Sequence, residues 1–591
     1  MTALVTLQRL ILPDEQVCQE VRLYARCLRG SGYSPETSEL LLQVGGRVSF
    51  ATYYGSFSFG KWRSLAGLAR LFLRLDFSGA GELQVCHRRV GRPPQLLATK
   101  AVAAGPVEIE VPLPEGDDGI IAPEFLASQP TVIRGGAWLT SDPPRRAVRL
   151  GIVITSFRRE EAVHATVRRL AGGLLSDPQI DASIVVIDNG QTLSPADVAG
   201  ATLIPNLNLG GSGGFARGLA HLQDNEGFTH AVFMDDDAST ELESVRRAYQ
   251  MLRYAQDDAT AIVSALLYQE YPGIQLEAAG QMPRDAWVPA RPGVDLRKVR
   301  EVLANESPFR IDYGGWWMFF FPLEKVRNLP FPFFLRGDDV EFPRANDFHL
   351  VTLNGIASYG PDFFRKESPV NIALDRRGNL VNVLLHGSLW DAWRGAARGV
   401  QKGVMLANRY CYDHVDALCE GTRDVLAGPS AFEDLAGFAG GRRRQFAACT
   451  RQPRISADEV AHYPLISRQQ HGRLWHVLRL LLLNGHLLPR FLLVRSPGIL
   501  GTVWESPGSE VFLRPVVIVR EGIDGGAVVA ERSVARYFAS LIRVCWLSLR
   551  LAMAAQRLRR EFRAKRQWFG SRDYWNKQFL AKAGKPGGGK G

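Results

Sequence analysis

Two hydrophobic rhythms divide the chain. Up to residue 147, apolar and polar positions alternate. Leu71-Phe72-Leu73-Arg74-Leu75-Asp76-Phe77 and Val107-Glu108-Ile109-Glu110-Val111 repeat with period two, the signature of half-buried strands. Clusters such as Gly91-Arg92-Pro93-Pro94 and Pro114-Glu115-Gly116 mark turns between them. Short strands separated by turns predict an N-terminal β-sandwich accessory domain over 1–147, structural or sugar-contacting. Ser141-Asp142-Pro143-Pro144-Arg145-Arg146 reads as a linker, and beyond it the rhythm changes. Residues 150–155, 182–187 and 230–234 are continuous apolar runs, with a helical pattern over 159–170. Fully apolar strands alternating with helices predict a parallel, Rossmann-like α/β domain, assigned to 148–400. Ligands of such sheets sit at the carboxyl ends of the strands. Those ends carry Ser156-Phe157-Arg158, Asp188-Asn189-Gly190 and Asp235-Asp236-Asp237.

From 401 to 591 the pattern is mainly helical and ends in a long helix over 534–568. On it Arg543, Arg550 and Arg557 share one face and Phe538, Leu541, Cys545 and Leu549 another. The most apolar stretch, 475–494, carries His476, Arg479, His486, Pro489 and Arg490. It is expected as a buried or interfacial helical hairpin, and no transmembrane helix is predicted. Arg9 interrupts the only apolar stretch at the N-terminus, so no signal peptide is predicted. The Gly/Lys-rich end, 584–591, is expected to be disordered.

Length and charge refine this picture. The 591 residues, 46% hydrophobic, suit several domains with ordinary cores. Seven scattered cysteines form no CxxC pair and read as reduced cytosolic thiols. The net charge is +11, and residues 541–591 alone hold thirteen Lys/Arg against two acids, a surplus of +11. A basic tail suits anionic lipid or nucleic acid, but no nucleic-acid module accompanies it.

Four segments carry chemistry. If the strand stays extended through Asp235-Asp236-Asp237, Asp235 and Asp237 point the same way, a pair suited to Mg²⁺ or Mn²⁺ on a diphosphate. Gly210-Gly211-Ser212-Gly213-Gly214 near a helix start lets backbone approach a ligand, yet matches neither a Walker loop nor a dinucleotide fingerprint. Gly314-Gly315-Trp316-Trp317 reads as a sugar-stacking wall in front of the core residues Phe319 to Phe321. Gly337-Asp338-Asp339-Val340-Glu341 offers a general base, against the simpler reading of an acidic helix N-terminus.

Taken in order with Thr155-Ser156-Phe157-Arg158, Asp188-Asn189-Gly190 and Asn208-Leu209-Gly210, these segments resemble the inverting, GT-A-fold galactofuranosyltransferases of the mycobacterial galactan-polymerising type. The resemblance is strong over about 150–400. It implies a metal held by Asp235 and Asp237, and a uridine diphosphate contacted by Arg158, Asp188, Asn189, Asn208 and Asp236. Trp316 and Trp317 would shape the sugar site, with Asp339 as base and Asp338 and Glu341 assisting the acceptor. It further implies transfer of galactofuranose from UDP-galactofuranose to a lipid-linked glycan in cell-envelope polysaccharide synthesis. The expected partners are that donor, that acceptor, an anionic inner membrane leaflet met peripherally from the cytoplasm, and a homo-oligomer; nucleic acid is not expected. One departure stands out. The family's Trp-His, whose His completes the metal site, is replaced by Tyr359-Gly360, so either water fills the position or the metal is held more weakly. The usual Arg-Asn of the next helix becomes Arg376-Arg377-Gly378-Asn379. The rival readings are a same-fold transferase with another donor, such as a rhamnosyltransferase, and a catalytically impaired glycan-binding or scaffold subunit.

Overall fold

The computed structural model describes residues 4–580 except 104, 238, 364–366, 468, 469, 503–507 and 523, so the Gly/Lys-rich end lies outside the described residues. The N-terminal part folds into two antiparallel sheets, of six and five strands. The two alternating segments form strands Leu71–Ser78 and Val107–Val111, paired with each other. Leu71, Leu73, Leu75 and Phe77 bury their side chains in a core that continues into the next unit through Val148, Ile152, Tyr249 and Tyr254.

That next unit is a seven-stranded sheet. Its strands are β1 (Leu150–Ser156), β2 (Ala182–Asp188), β3 (Ala201–Pro205), β4 (His230–Asp235), β5 (Thr260–Val263), β6 (Met318–Pro322) and β7 (His349–Val351). The order across the sheet is β3-β2-β1-β4-β6-β5-β7. β3, β2, β1 and β4 run parallel, while β6 is antiparallel to both neighbours. β6 carries the Phe319–Phe321 core expected from sequence, all fully buried. The strands are apolar throughout because helices and the N-terminal sheets cover both faces.

The supposed linker is pinned. The backbone N–H groups of Arg145 and Arg146 both donate to Arg253 O, and Tyr254 Oη donates to Asp142 O. The seam is polar as well as apolar. The Arg247 guanidinium donates to Tyr54 O at 2.7 Å, Tyr24 Oη donates to Glu241 at 2.5 Å, and the Tyr54 and Tyr359 hydroxyls meet at 3.0 Å.

The C-terminal region is helical, as expected, but it also holds a four-stranded sheet built from Arg454–Ile455, Ala527–Glu531, Val516–Arg520 and Ile499–Thr502. The long helix spans Val534–Phe569 and by length and composition could cross a membrane. One face, however, packs as core through Val544, Leu547, Leu551, Ala555, Leu558 and Phe562. The stretch expected as a hairpin is a helix, Arg473–Leu481, followed by single 3₁₀ turns. It is not buried: Leu474, Leu480, Leu481 and Phe491 all face outward, because the segment packs through Trp475 on Phe512 and through His486 on Tyr537 instead.

Glu341, expected near an acceptor, is instead a tie between regions. It is fully buried and accepts from the Arg566 guanidinium of the long helix on both oxygens, with His386 at 3.3 Å. Burial works to raise its pKa, but Arg566 and His386 outweigh that and hold it below the ordinary value. Its charge therefore contributes stability above the ordinary glutamate pKa, and the contribution is lost as pH falls through the depressed one. Arg566→Ala leaves that carboxylate buried without its main partner. A loss of about 3–5 kcal/mol is expected in urea denaturation at pH 7, and adding Glu341→Gln to the same variant should recover part of it.

Candidate active site

The in-register parallel pairing of β1 with its neighbours brings the chemistry together. Ser156 lies opposite Asp188, and Thr155 opposite Asp235. A cleft of about 440 Å³ opens there, lined by Thr155, Asn189, Asn208, Asp235, Asp236, Trp316, Trp317, Asp338 and Asp339 among others.

The glycine-rich segment is the start of a helix, Gly210–Asp224, laid against β1. A Cβ on Gly214 would stand 2.6 Å from Thr155 Cγ2 and 2.9 Å from Asn189 Nδ2. The glycines thus serve close helix–strand packing as much as ligand approach. Asn189 is fixed by donating to Gly210 O at 3.2 Å and accepting from Asn206 Nδ2 at 2.8 Å, which leaves it placed in the cleft wall. Asp188 acts elsewhere. It is buried and accepts from the N–H groups of Gly190, Thr192 and Leu193, so it shapes the loop from behind.

Arg158 is exposed, in the left-handed region at φ 56°, with its guanidinium over the Phe157 ring. Its neighbour Arg159 lines the cleft in its place. The Arg159 fork donates to Asp236 and to Asp237, both at 2.8 Å.

The acidic triplet departs from the extended geometry. β4 ends at Asp235, and Asp236 and Asp237 form a turn. Asp235 and Asp236 line the cleft, whereas Asp237 lines a separate cavity of about 330 Å³ with Thr166 and Arg169. The expected metal pair, Asp235 and Asp237, is therefore split. Gly360 ends a strand, Ala357–Gly360, whose Tyr359 pairs with Ser239, just beyond the triplet. Gly360, where the resemblance implies a third ligand, offers no side chain. Among the described residues no three His, Cys, Asp or Glu side chains converge on one point. This donor set does not fit a resident, protein-caged Mn²⁺ or Mg²⁺.

Trp316 is mostly core, with its ring against Phe215, Phe233 and Phe342, and its indole N–H has no partner among the described residues. Trp317 is only half-buried and donates to Ser264 O at 3.3 Å, so it supplies the more accessible part of the wall.

Asp338 and Asp339 open the helix Asp338–Asn346, where acids are favoured, so the bland reading of this cluster is also true. The loop before it is strained, with Phe334 at φ 75° and Arg336 at φ 68°. Asn382 Nδ2 holds Gly337 O at 2.9 Å, and a Cβ on Gly337 would meet Gly378 Cα at 3.0 Å. A Cβ on Gly378 would in turn stand 2.3 Å from Arg336 O, which accounts for the glycine in the altered helix motif. Asp338 accepts from Ser212 Oγ at 2.8 Å; burial pushes it up to about 6, against that hydrogen bond. Asp339 is pushed up to about 7 by burial and then by the Asp338 charge.

Sequence reasoning missed Arg159, Arg336, Arg443 and Glu277. The three arginines line the cleft. Glu277 is buried on the strand Gln275–Glu277, with Oε1 unpartnered among the described residues, and is raised to about 8 by burial and by the charge of Asp339. Arg159 and Arg336 adjoin motifs visible in the sequence, but Glu277 and Arg443 lie in segments without a pattern.

A family model described as "Galactofuranosyltransferase 2 N-terminal" matches residues 7–141. The galactofuranosyltransferase GlfT2 of Mycolicibacterium smegmatis is 27% identical over 443 residues, 67% of this chain and 66% of that protein. GlfT2 of Mycobacterium tuberculosis is 25% identical over 438 residues, 67% of this chain and 68% of that protein. The match thus spans about two thirds of each relative's length. Among solved structures, a mannosyltransferase of Pyrobaculum calidifontis in complex with GDP-Man and Mn²⁺ aligns with a TM-score of 0.28 at 13% identity, over 41% of this chain and 64% of that one.

Gly214→Ala should force Thr155 and Asn189 apart. Unfolding free energy is expected to fall by about 1–3 kcal/mol in urea denaturation; an unchanged value would mean the helix does not lie this close to β1.

Proposed function

We propose that this chain, a relative of the galactofuranosyltransferases, is an inverting glycosyltransferase of GT-A type. Its donor is UDP-galactofuranose, and its acceptor is a hydroxyl of a lipid-linked glycan in cell-envelope polysaccharide synthesis. The two N-terminal sheets are a β-sandwich accessory domain in this reading. The observation that carries it is the convergence of Asp339 with Asn189, Asn208, Asp235 and Asp236 on one cleft at the ends of parallel strands.

In this reading Asn189 and Asn208 hold the nucleotide, and Asp236, paired with Arg159, accepts from its hydroxyl groups. Trp317 and the edge of Trp316 face the sugars. Asp339 takes the proton of the acceptor hydroxyl, whose oxygen attacks the anomeric carbon from the face opposite the diphosphate. The bond from that carbon to the diphosphate oxygen breaks, its electron pair leaves with UDP, and Asp339 returns the proton to solvent. No covalent sugar–enzyme species is needed. The manganese of the mannosyltransferase complex is not carried over as a resident ion, because the donor set here does not cage one.

The cytoplasmic, membrane-peripheral reading rests on surface chemistry. Ile542, Trp546, Leu549 and Met553 recur at helical spacing on the long helix and are exposed, as are the leucines of Arg473–Leu481; exposed Trp393 donates to Ala552 O of that long helix, with Trp390 next to it. Exposed Arg550, Arg560, Arg563 and Lys565 share the same helix. An apolar stripe with flanking cations suits an anionic leaflet.

Only the carboxylate form of Asp339 accepts a proton, so transfer from UDP-galactofuranose to a galactan-type acceptor should rise with pH through about 7. Asp339→Asn should lower kcat by at least about 10²-fold while leaving UDP affinity intact. Full activity in that variant would reject the base, and transfer from another nucleotide sugar alone would reject the donor. In co-sedimentation, binding to phosphatidylglycerol vesicles should exceed binding to phosphatidylcholine vesicles. Trp546→Glu with Met553→Glu should weaken it by at least about tenfold; equal binding of both proteins would remove the stripe from the membrane reading.

A further inference from the structure

The mismatch between the cleft and a metal cage leaves a question of charge. A nucleotide diphosphate that leaves as an anion needs neutralising, and Gly360 stands where the resemblance places a third metal ligand. The cleft contains three arginines, Arg159, Arg336 and Arg443. Two already have carboxylate partners: Arg159 bridges Asp236 and Asp237, and Arg336 lies 3.6 Å from Asp375. Arg443 is different. It is exposed, lines the cleft, and among the described residues has no ion pair or hydrogen bond from its side chain.

Its position is nonetheless built. Arg443 follows directly on a π-helical turn, Phe438–Arg442. Phe438 and Phe446 are buried on either side of it, their rings 5.8 Å apart. The Arg377 guanidinium lies over the Phe438 ring at 4.3 Å and donates to Phe333 O at 2.6 Å, which couples the turn to the loop ahead of Asp338. Arg442 is tied to Asp424 at 2.5 Å and to Glu420 at 3.0 Å. Adjacent arginines therefore have opposite fates: Arg442 anchors the turn, and Arg443 is presented unpaired to the cleft. π-Helical turns concentrate at functional sites, and a guanidinium matches phosphate oxygens in a bidentate fork.

We propose that Arg443, delivered by the C-terminal region, binds the diphosphate of the donor and supplies the charge neutralisation that a three-ligand metal site would otherwise give. Donor binding by this chain then does not depend on a divalent cation. The inference rests on the nucleotide-sugar reading above and deepens it: the donor site is completed by a residue outside the α/β domain.

The test is calorimetric titration of the full chain with UDP and with uridine, in EDTA and in Mn²⁺, for wild type, Arg443→Gln and Arg443→Lys. Wild type is expected to bind UDP in EDTA. Arg443→Gln should weaken UDP by about 10- to 100-fold, with Arg443→Lys between the two and uridine affinity equal in all three. Unchanged UDP affinity in Arg443→Gln overturns the proposal, as does a parallel loss of uridine and UDP, which would make Arg443 merely structural. Wild-type binding of UDP only in Mn²⁺ overturns it too, while leaving the donor reading standing. Absence of binding for both ligands in every condition sinks the donor reading itself.

Discussion

The polar half of this molecule depends on one constraint, the hydrogen-bond register between parallel strands. β1 pairs with β2 and β4 without a shift, so Asp235, level with Thr155, and Asp188, level with Ser156, end within one residue of each other. Parallel pairing is evenly spaced and, with both faces covered, a slip would draw Asp188 or Asp235 into the apolar sheet. The apolar runs therefore do more than form a core. They fix the height at which three polar loops emerge, and the cleft is the space those loops enclose.

A second layer of constraint comes from outside the sheet. The helix that begins with Asp338 and Asp339 has few means of holding itself, since its preceding loop contains two non-glycine residues in the left-handed region. The strain is sustained by the helix Pro369–His386, whose Arg377 holds Phe333 O and whose Asn382 holds Gly337 O, and by the long C-terminal helix, whose Arg566 holds Glu341. The Asp338 and Asp339 carboxylates thus sit on an element whose geometry is set by segments that follow it in the chain. The same arrangement brings Arg443 to the cleft, so support and chemistry share one set of contacts.

The elements are legible in the sequence, and their partners are hidden. The continuous apolar runs foretell β1, β2 and β4, because a strand buried on both faces has little freedom of composition. The acidic triplet is legible as a site but not as a shape: period-two alternation assumes that the strand continues, and here it stops at Asp235. Glu341 looks like its neighbours Asp338 and Asp339 because nothing local marks a residue 225 positions from its partner Arg566. Asp188 and Arg158 are both polar at strand ends, yet one faces its own loop and the other faces solvent. Which side chain enters the cleft is decided by backbone dihedrals that spacing does not encode. The linker likewise reads as flexible from its prolines, although Arg253 and Tyr254, more than a hundred residues on, tie it down.

The π-helical turn at Phe438–Arg442 has a consequence for how such a chain can change. A π turn is an α-helix carrying one residue too many. Removing either Gly440 or Gly441, neither of which has a neighbour within 4 Å of a would-be Cβ, leaves an ordinary helical path. Each residue of an α-helix advances by about 100°, so that deletion would change the angle at which Arg443 leaves the turn. A change of one residue in this turn is thus enough to redirect a positive charge that lines the cleft.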